Sequence, residues 1–267
     1  MAMIGIMAAI LLASSIGFKK YVWFISIGYG FSISATGIML LIMYGKAMDI
    51  CGILASIILI LYGIRLSGYL AYRELKSKTY NKKMKGEIKD GKKMKLPIKC
   101  MLWITCALLY FMMCSPIIFR ISNTIFKHTK TDVTFVIGIC IMIAGILIEG
   151  IADIQKNKAK KKKSDRFVDT GLYKIVRCPN YFSELIMWTG VLIVGLTGLT
   201  GIIQWIVAIL GYIGIVYVMF SGARRLEIRQ DKNYGEDKEY KKYKKSTPIL
   251  IPLVPIYSVK KHKWLVA

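Results

Sequence analysis

The sequence predicts an all-α integral membrane protein, a bundle of seven transmembrane helices. Apolar residues make up 55% of the 267-residue chain, whereas a soluble domain has roughly 45–50% even when glycine is included. Lys and Arg nevertheless outnumber Asp and Glu by 39 to 15, which gives a net charge of +24. Such a chain must keep its apolar and basic residues apart, and it is too apolar to be a disordered basic protein.

Seven predominantly apolar runs, most of them about 17–25 residues long, have the length of membrane-spanning helices. The first run is short, but Lys19 and Lys20 follow it without a positively charged leader before it, which favours a retained anchor over a signal peptide. The last two runs are divided at a turn-like segment, residues 196–201. The predicted spans are Met3–Phe18, Tyr21–Tyr44, Ile50–Tyr72, Met101–Phe119, Val133–Ile151, Phe182–Leu196 and Ile202–Phe220.

The positive charges predict the orientation of the chain. When the segments between the runs are assigned to alternating faces, 34 of the 39 Lys and Arg residues fall on one side. Because positive charge resists translocation, that side is cytoplasmic, with the N-terminus outside and the C-terminus inside. Residues 1–48 would form a two-helix segment and residues 49–267 one membrane domain. The Lys-rich composition indicates a bacterial plasma membrane, with anionic lipid as a partner of the basic face.

Several function classes are excluded by residue content. The six cysteines show no CxxC spacing, so neither a zinc site nor a disulfide framework is indicated. Two histidines make a Ser–His–Asp hydrolase or an HExxH metalloenzyme very unlikely. GxGxxG and P-loop sequences are missing, and no nucleic-acid-binding fold accompanies the charge. We therefore expect no metal site and no nucleic-acid partner.

Polar residues inside the apolar runs are the functional candidates, because charge within a span is costly. In the third run, Tyr62, Arg65 and Tyr69 follow helical spacing and share one face. The alternative is an arginine whose charged end reaches the membrane surface, beside an interfacial tyrosine. At the end of the fifth run, Glu149 and Asp153 also share a face, and a pair between Asp153 and a nearby lysine is the structural alternative.

The segment around Pro179 is the most specific. Pro179 is suited to open a helix, after which Asn180, Glu184 and Trp188 step along one face. The alternative is a helix cap above a structural glutamate. The C-terminal tail, residues 221–267, adds Lys, Arg and Tyr residues, and is either a juxtamembrane patch or a lid that holds phosphates and a base.

These segments together resemble the membrane steroid 5α-reductase family, particularly its bacterial branch. RCPNYFSELIMWTG, at residues 177–190, is similar to the family's R-H-P-N-Y-F-G-E…W-G signature. LEIRQDKNYGEDKEYKKYKKSTPILIP, at residues 226–252, is similar to its closing pattern, and YGIRLSGYLAYR, at residues 62–73, to its Tyr-x-x-Arg-x-x-x-Tyr helix. The resemblance spans about residues 62–252.

The resemblance implies a seven-helix enzyme that uses NADPH to saturate a carbon–carbon double bond conjugated to a ketone, in a lipophilic substrate entering from the bilayer. Tyr62 would polarise the substrate carbonyl, and Glu184 is the second catalytic candidate. The predicted cofactor-binding residues are Arg65, Tyr69, Asp153, Arg166, Arg177, Asn180, Arg225, Glu227, Tyr240 and Tyr243.

The chain departs from the family pattern at three places. Cys178 replaces a histidine, and Ser183 replaces a glycine. Residues 1–48 contain no Asp or Glu, although steroid-reducing relatives pair the tyrosine with a glutamate from an earlier helix. Either Tyr62 acts with a hydroxyl partner such as Ser32 or Ser34, or the substrate is not a typical 3-keto steroid. The alternative functions are an S-adenosylmethionine-dependent methyltransferase acting on a lipid or prenylcysteine, and a non-enzymatic lipid-binding or transport protein.

Overall fold

The computed structural model describes residues 2–76, 94–126 and 132–266, with side chains up to Tyr72 in the first range. The described chain is helical and contains no strand, which confirms the all-α class. The predicted basic loop from Arg73 to Lys99 lies largely outside the described residues. The helices are α1 (Ala2–Ser14), α2 (Ile27–Tyr44), α3 (Ile50–Lys76), α4 (Leu96–Phe126), α5 (Val133–Lys162), α6 (Leu172–Ile175), α7 (Pro179–Gly195), α8 (Ile202–Tyr234) and α9 (Lys238–Ser246), with 3₁₀ turns at Ser15–Phe18 and Tyr21–Phe24.

Five segments are long and apolar enough to cross a membrane: Tyr21–Tyr44, Ile50–Tyr72, Leu96–Phe126, Val133–Lys162 and Ile202–Tyr234. The chain is thus a helical membrane protein. The first apolar helix, Ala2–Phe18, is shorter, and α7 has 17 residues. The predicted count of seven spans and the predicted orientation stay predictions.

Several helices run further than the apolar runs that predicted them. α4 begins five residues before Met101, α8 continues to Tyr234, and α5 continues through the lysine run to Lys162. The eleven residues that follow the predicted span Val133–Ile151 are therefore helical. Lysine is a good helix former, and lysines in the last turn interact favourably with the helix dipole, so this segment keeps its helical form outside the apolar run.

The chain divides into two compact units. The first comprises Met1–Ile139 with Val191–Gly211, and the second comprises Cys140–Gly190 with Tyr212–Ala267. The predicted boundary after residue 48 stays a prediction.

Within the first unit, α2 and α3 approach closely along a seam of small residues. A side chain added at Gly63 would meet the carbonyl oxygen of Gly30, and one added at Gly37 would meet that of Ser56. The Ser67 hydroxyl donates to the carbonyl oxygen of Ile27 at 2.6 Å across the same seam. Small residues and hydroxyl–carbonyl bonds of this kind are how helices associate in membranes, where there is little hydrophobic drive between them.

The turn between α7 and α8 is where the sequence predicts it, after Gly195 and before Ile202. Arg120, which is fully buried, donates to the Thr197 hydroxyl at 2.6 Å and lies 3.4 Å from the carboxylate of Asp132. Asn123 donates to the carbonyl oxygen of Gly198 at 2.7 Å. These contacts fix the turn to α4 within the first unit.

Candidate functional site

Tyr62 belongs to a buried pair of tyrosines in the first unit. Its hydroxyl lies 2.9 Å from that of Tyr29 on α2, and both side chains are buried. The rings meet edge to face with 6.3 Å between centroids, an arrangement that aromatic pairs favour. Tyr29 also packs against Tyr110, whose hydroxyl donates to the carbonyl oxygen of Phe24 at 2.6 Å.

The hydroxyl that meets Tyr62 is therefore that of Tyr29, and the expectation of Ser32 or Ser34 is wrong. Ser32 donates to the carbonyl oxygen of Ile10, and Ser34 donates to that of Ile60. Their short side chains satisfy backbone carbonyls close by. The ring of a tyrosine instead carries its hydroxyl across the space between two helices.

Arg65 and Tyr69 share a face with Tyr62, as the spacing predicts. Both side chains are half-buried. The neighbouring Leu61 and Ile64 are exposed by 59% and 53%. The roles of Arg65 and Tyr69 toward a cofactor stay predictions.

In the second unit, Asn180 uses both ends of its amide. Its Nδ2 donates to Asp153 Oδ1 at 2.6 Å, and its Oδ1 accepts from the Tyr173 hydroxyl at 2.8 Å. α7 begins at Pro179, as predicted. The amide of Asn180 thus joins α5 to the start of α7.

The helices α5 and α7 of the second unit each carry a buried glutamate. Glu184 is 7% exposed, and its Oε2 accepts from the indole N–H of Trp188 at 3.4 Å, one turn along α7. Glu149 is 5% exposed on α5. The predicted face of Asn180, Glu184 and Trp188 is formed.

A basic cavity of about 370 Å³ lies between the end of α5 and the segment that follows it. Four cations and a single carboxylate line it, which leaves an excess of positive charge. Phe167 and Val168 supply the apolar part of its wall. The basic cavity is lined by Gln155, Lys158, Ala159, Lys162, Lys163, Arg166, Phe167, Val168, Asp169 and Thr170.

Arg166 is the predicted cofactor residue that lines the basic cavity. Its guanidinium contacts Asp169 and Glu239, each at 2.7 Å, and lies 4.9 Å from the centroid of the Phe167 ring. Lys160 supports the same segment from α5, because its Nζ donates to the carbonyl oxygen of Arg166 at 2.5 Å and to the Tyr234 hydroxyl at 3.0 Å.

Arg177 and Glu227 form a fully buried ion pair, with 3.4 Å between Arg177 Nη2 and Glu227 Oε1. Arg177 also donates to the carbonyl oxygen of Tyr257, and Glu227 accepts from the backbone N–H of Val259 at 2.9 Å. Lys244 reaches Glu227 at 3.0 Å. Nε and Nη1 of Arg177 have no hydrogen-bond partner among the described residues. The pair holds the C-terminal tail, while its predicted contact with a cofactor stays a prediction.

The predicted tyrosines of the tail pack inside the second unit. Phe167 stacks on Tyr243 with 5.3 Å between centroids and meets Tyr240 edge to face at the same distance. The Tyr240 hydroxyl donates to Asp231 at 3.0 Å, so burial, with this carboxylate, raises the pKa of Tyr240. Burial likewise raises the pKa of Tyr243. Arg225 is exposed and lies beside the hydroxyl of Tyr181.

Cys178 stands in a backbone pairing with the tail. Its N–H donates to the carbonyl oxygen of Ile249 at 3.0 Å, and the N–H of Arg177 donates to that of Pro248 at 2.9 Å. Burial raises the pKa of the Cys178 thiol to about 12, so this residue is a neutral thiol at physiological pH. It has neither the charge nor the proton exchange of a histidine. In the described residues, no group of His, Cys, Asp or Glu is arranged to hold a metal ion.

One known family matches the sequence over most of its length. The family described as protein of unknown function, DUF1295, matches residues 14–247. The chain belongs to this family. Among curated proteins and solved structures, none matches the chain.

In this DUF1295 protein, sequence reasoning missed three residues around the candidate sites: Tyr29, Tyr173 and Lys244. Tyr29 lies in an apolar run beside glycines, where a tyrosine is also expected for packing alone. The sequence pointed to it only through the need of Tyr62 for a hydroxyl partner. Tyr173 lies seven residues before Asn180 in a separate short helix, α6, so helical spacing gave no signal for it. Lys244 was one lysine among many in the tail.

Proposed function

We propose that this chain is an NADPH-dependent membrane reductase that saturates a carbon–carbon double bond conjugated to a ketone in a steroid-like or other lipophilic enone. The observation that carries the proposal is the basic cavity. Its volume of about 370 Å³ lies in the range of about 300–1,000 Å³ of small-molecule sites. Its lining of Lys158, Lys162, Lys163 and Arg166 favours an anion.

The charge of the basic cavity separates the candidate cofactors. NADPH carries a pyrophosphate and a 2′-phosphate, and lysine and arginine bind such groups through charge-assisted hydrogen bonds. S-adenosylmethionine carries a sulfonium, an ammonium and one carboxylate, and its net positive charge would be repelled by the excess of cations in the basic cavity. The residues present therefore fit NADPH and disfavour the methyl donor. The rest of the proposed cofactor-binding set lies in both units. The second unit adds Asp153, Arg177, Asn180, Arg225, Glu227, Tyr240 and Tyr243, and the first unit adds Arg65 and Tyr69.

The first unit supplies the proposed carbonyl donor. NADPH, when bound, supplies the hydride that adds to the β-carbon of the enone. Negative charge then develops on the ketone oxygen, and a donor aimed at that oxygen lowers the barrier. Tyr62 is suited to this task because it is fully buried, so its hydrogen bond acts where water does not compete. Glu184 is the second proposed catalytic group.

The resemblance to the steroid 5α-reductase family supports the same proposal through its three ordered motifs. The exposed apolar side chains on the long helices fit a bilayer, from which a lipophilic substrate would enter. We propose a bacterial plasma membrane location with the cofactor entering from the cytoplasm, and anionic lipid as partner of the basic face.

Titration of the purified, detergent-solubilised protein with NADPH, NADH and S-adenosylmethionine tests the proposal. We expect binding of NADPH, weaker binding of NADH, and none of the methyl donor. Reversing one charge of the basic cavity, Lys162→Glu, should weaken NADPH binding by about tenfold, because the ligand is strongly anionic.

Lys161→Glu is the matched control. It makes the same change of charge one residue away, on an exposed side chain that does not line the basic cavity, so we expect close to wild-type affinity. Binding of S-adenosylmethionine without NADPH would replace the proposal with the methyltransferase alternative. Binding of neither would leave the non-enzymatic alternative, and equal losses in both variants would move the cofactor away from the basic cavity.

A further inference from the structure

We propose that Tyr29 is a positioning residue for Tyr62, and that the two form a neutral hydrogen-bonding pair for an uncharged lipophilic ketone; this rests on the function proposed above. The two hydroxyl oxygens are 2.9 Å apart, and either hydroxyl can donate. When the proton of Tyr62 points to a substrate carbonyl, Tyr29 has to be the donor within the pair.

Helix packing sets the separation of the pair. Gly30 follows Tyr29 on α2, and Gly63 follows Tyr62 on α3. A side chain at Gly63 would meet the carbonyl oxygen of Gly30, so the two backbones touch next to the tyrosines. Ser67 adds a bond of 2.6 Å across the same seam. The hydroxyl of Tyr29 is therefore held in place before a substrate arrives, which is the preorganisation that an effective donor requires.

The neighbouring hydroxyl groups have other tasks. Those of Ser32, Ser34 and Tyr110 donate to backbone carbonyl oxygens at 3.3, 3.0 and 2.6 Å. The hydroxyl of Tyr29, by contrast, lies 2.9 Å from that of Tyr62. Its ring is fixed in turn by Tyr110, at 5.2 Å between centroids.

The chemistry of the pair follows from charge. As Tyr62 donates to a ketone oxygen, its own oxygen gains negative character, and a hydrogen bond from Tyr29 stabilises that character. No carboxyl group occurs in residues 1–48, so α2 offers Tyr62 a neutral partner in place of an acid. A neutral pair in an apolar unit suits an uncharged ketone, because a charged substrate would add a large desolvation cost.

The first test is Tyr29→Phe, which keeps the ring against Tyr110 and removes the hydroxyl alone. We expect kcat to fall by about 10- to 100-fold, less than the loss of a direct oxyanion donor, which costs about 10²–10³. KM and the Kd of NADPH should stay within about twofold. Tyr110→Phe is the control: it removes a hydroxyl that bonds to backbone, so it should lower thermal stability and leave kcat nearly unchanged.

The second test does not depend on turnover. The infrared carbonyl band of a bound 3-keto-Δ4 steroid, ¹³C-labelled at the ketone, should shift to lower frequency in the wild type. The shift should be smaller in Tyr29→Phe and lost in Tyr62→Phe, while Tyr110→Phe should match the wild type.

The outcomes separate the two proposals. An unchanged band and unchanged kcat in Tyr29→Phe would overturn the role of Tyr29 and leave the reductase intact. A band that responds to Tyr29 in a protein that reduces no enone would support the pair and overturn the reductase. A wild-type protein that gives no shifted band would overturn the pair as a carbonyl donor. Equal losses of kcat in Tyr29→Phe and Tyr110→Phe would reduce Tyr29 to a packing role.

Discussion

The two compact units bury polar groups in different ways. Around Tyr62 the first unit buries hydroxyls and glycines: Tyr29 meets Tyr62, and the serines of α2 and α3 donate to backbone carbonyls. Its buried Arg120 lies elsewhere, at the turn before Ile202. The second unit buries the ion pair of Arg177 and Glu227. It also carries the basic cavity at the end of α5. A neutral donor suits an uncharged ketone, and a cationic cavity suits a phosphorylated cofactor. Under the proposed function, the difference assigns the ketone donor to the neutral groups around Tyr62 and the phosphate-binding cations to the second unit, with Arg65 and Tyr69 of the first unit as further predicted cofactor contacts.

The largest expected effect separates the units by function. Tyr62→Phe should lower kcat by about 10²–10³-fold, because it removes the proposed donor to the ketone oxygen, and it should leave NADPH affinity largely intact. Asn180→Ala should instead weaken NADPH binding, since it removes the group that bonds to Asp153 and Tyr173. Steady-state kinetics and cofactor titration of both variants measure this. Loss of NADPH binding in Tyr62→Phe would contradict the assignment of Tyr62 to the substrate. Full affinity and full turnover in Asn180→Ala would contradict the assignment of Asn180 to the cofactor.

The second expected effect concerns the charge buried in the second unit. Glu227→Gln leaves Arg177 buried without its carboxylate, and breaking a buried pair typically costs about 3–5 kcal/mol. Because Val259 and Tyr257 are tied to this pair, trypsin should cleave faster at the lysines that follow, Lys260 and Lys261. Glu236→Gln is the control, since its pair with Lys241 is solvent-exposed and should not matter. Equal cleavage rates in the two variants would contradict a tail held by the buried pair.

The sequence anticipated the second unit better than the first. Pro179 opening α7 and the face shared by Asn180, Glu184 and Trp188 followed from residue type and spacing. In the first unit, the turn before Ile202 followed in the same way. The ends of the helices could not be predicted in this way. Hydropathy marks the apolar part of a helix, whereas the lysine-rich turns of α5 are helical as well. The partner of Tyr62 could not be predicted either. It depends on how closely α2 and α3 approach, and this is set by a tertiary contact between Gly30 and Gly63 that no local pattern encodes.

A smaller effect tests that close approach. Gly63→Ala should destabilise the protein by about 1–3 kcal/mol, because a methyl group there meets the carbonyl oxygen of Gly30. It should also lower kcat by displacing Tyr62 from Tyr29. Gly68→Ala, on the same helix, places its methyl group in open space and should be neutral or slightly stabilising. Thermal unfolding in detergent compares the two. A Gly63→Ala variant as stable and active as Gly68→Ala would contradict a tightly packed seam.

The central claim is hydride transfer from NADPH to an enone, and isotope transfer tests it most directly. Membranes containing the protein would be incubated with NADPH deuterated at C4 of the nicotinamide and a panel of enones that includes 3-keto-Δ4 steroids. Products would be analysed by mass spectrometry. The account predicts a product that gains one deuterium and one proton with the wild type and not with Tyr62→Phe. A wild-type protein that binds NADPH but reduces none of these enones, or equal product from Tyr62→Phe, would contradict it.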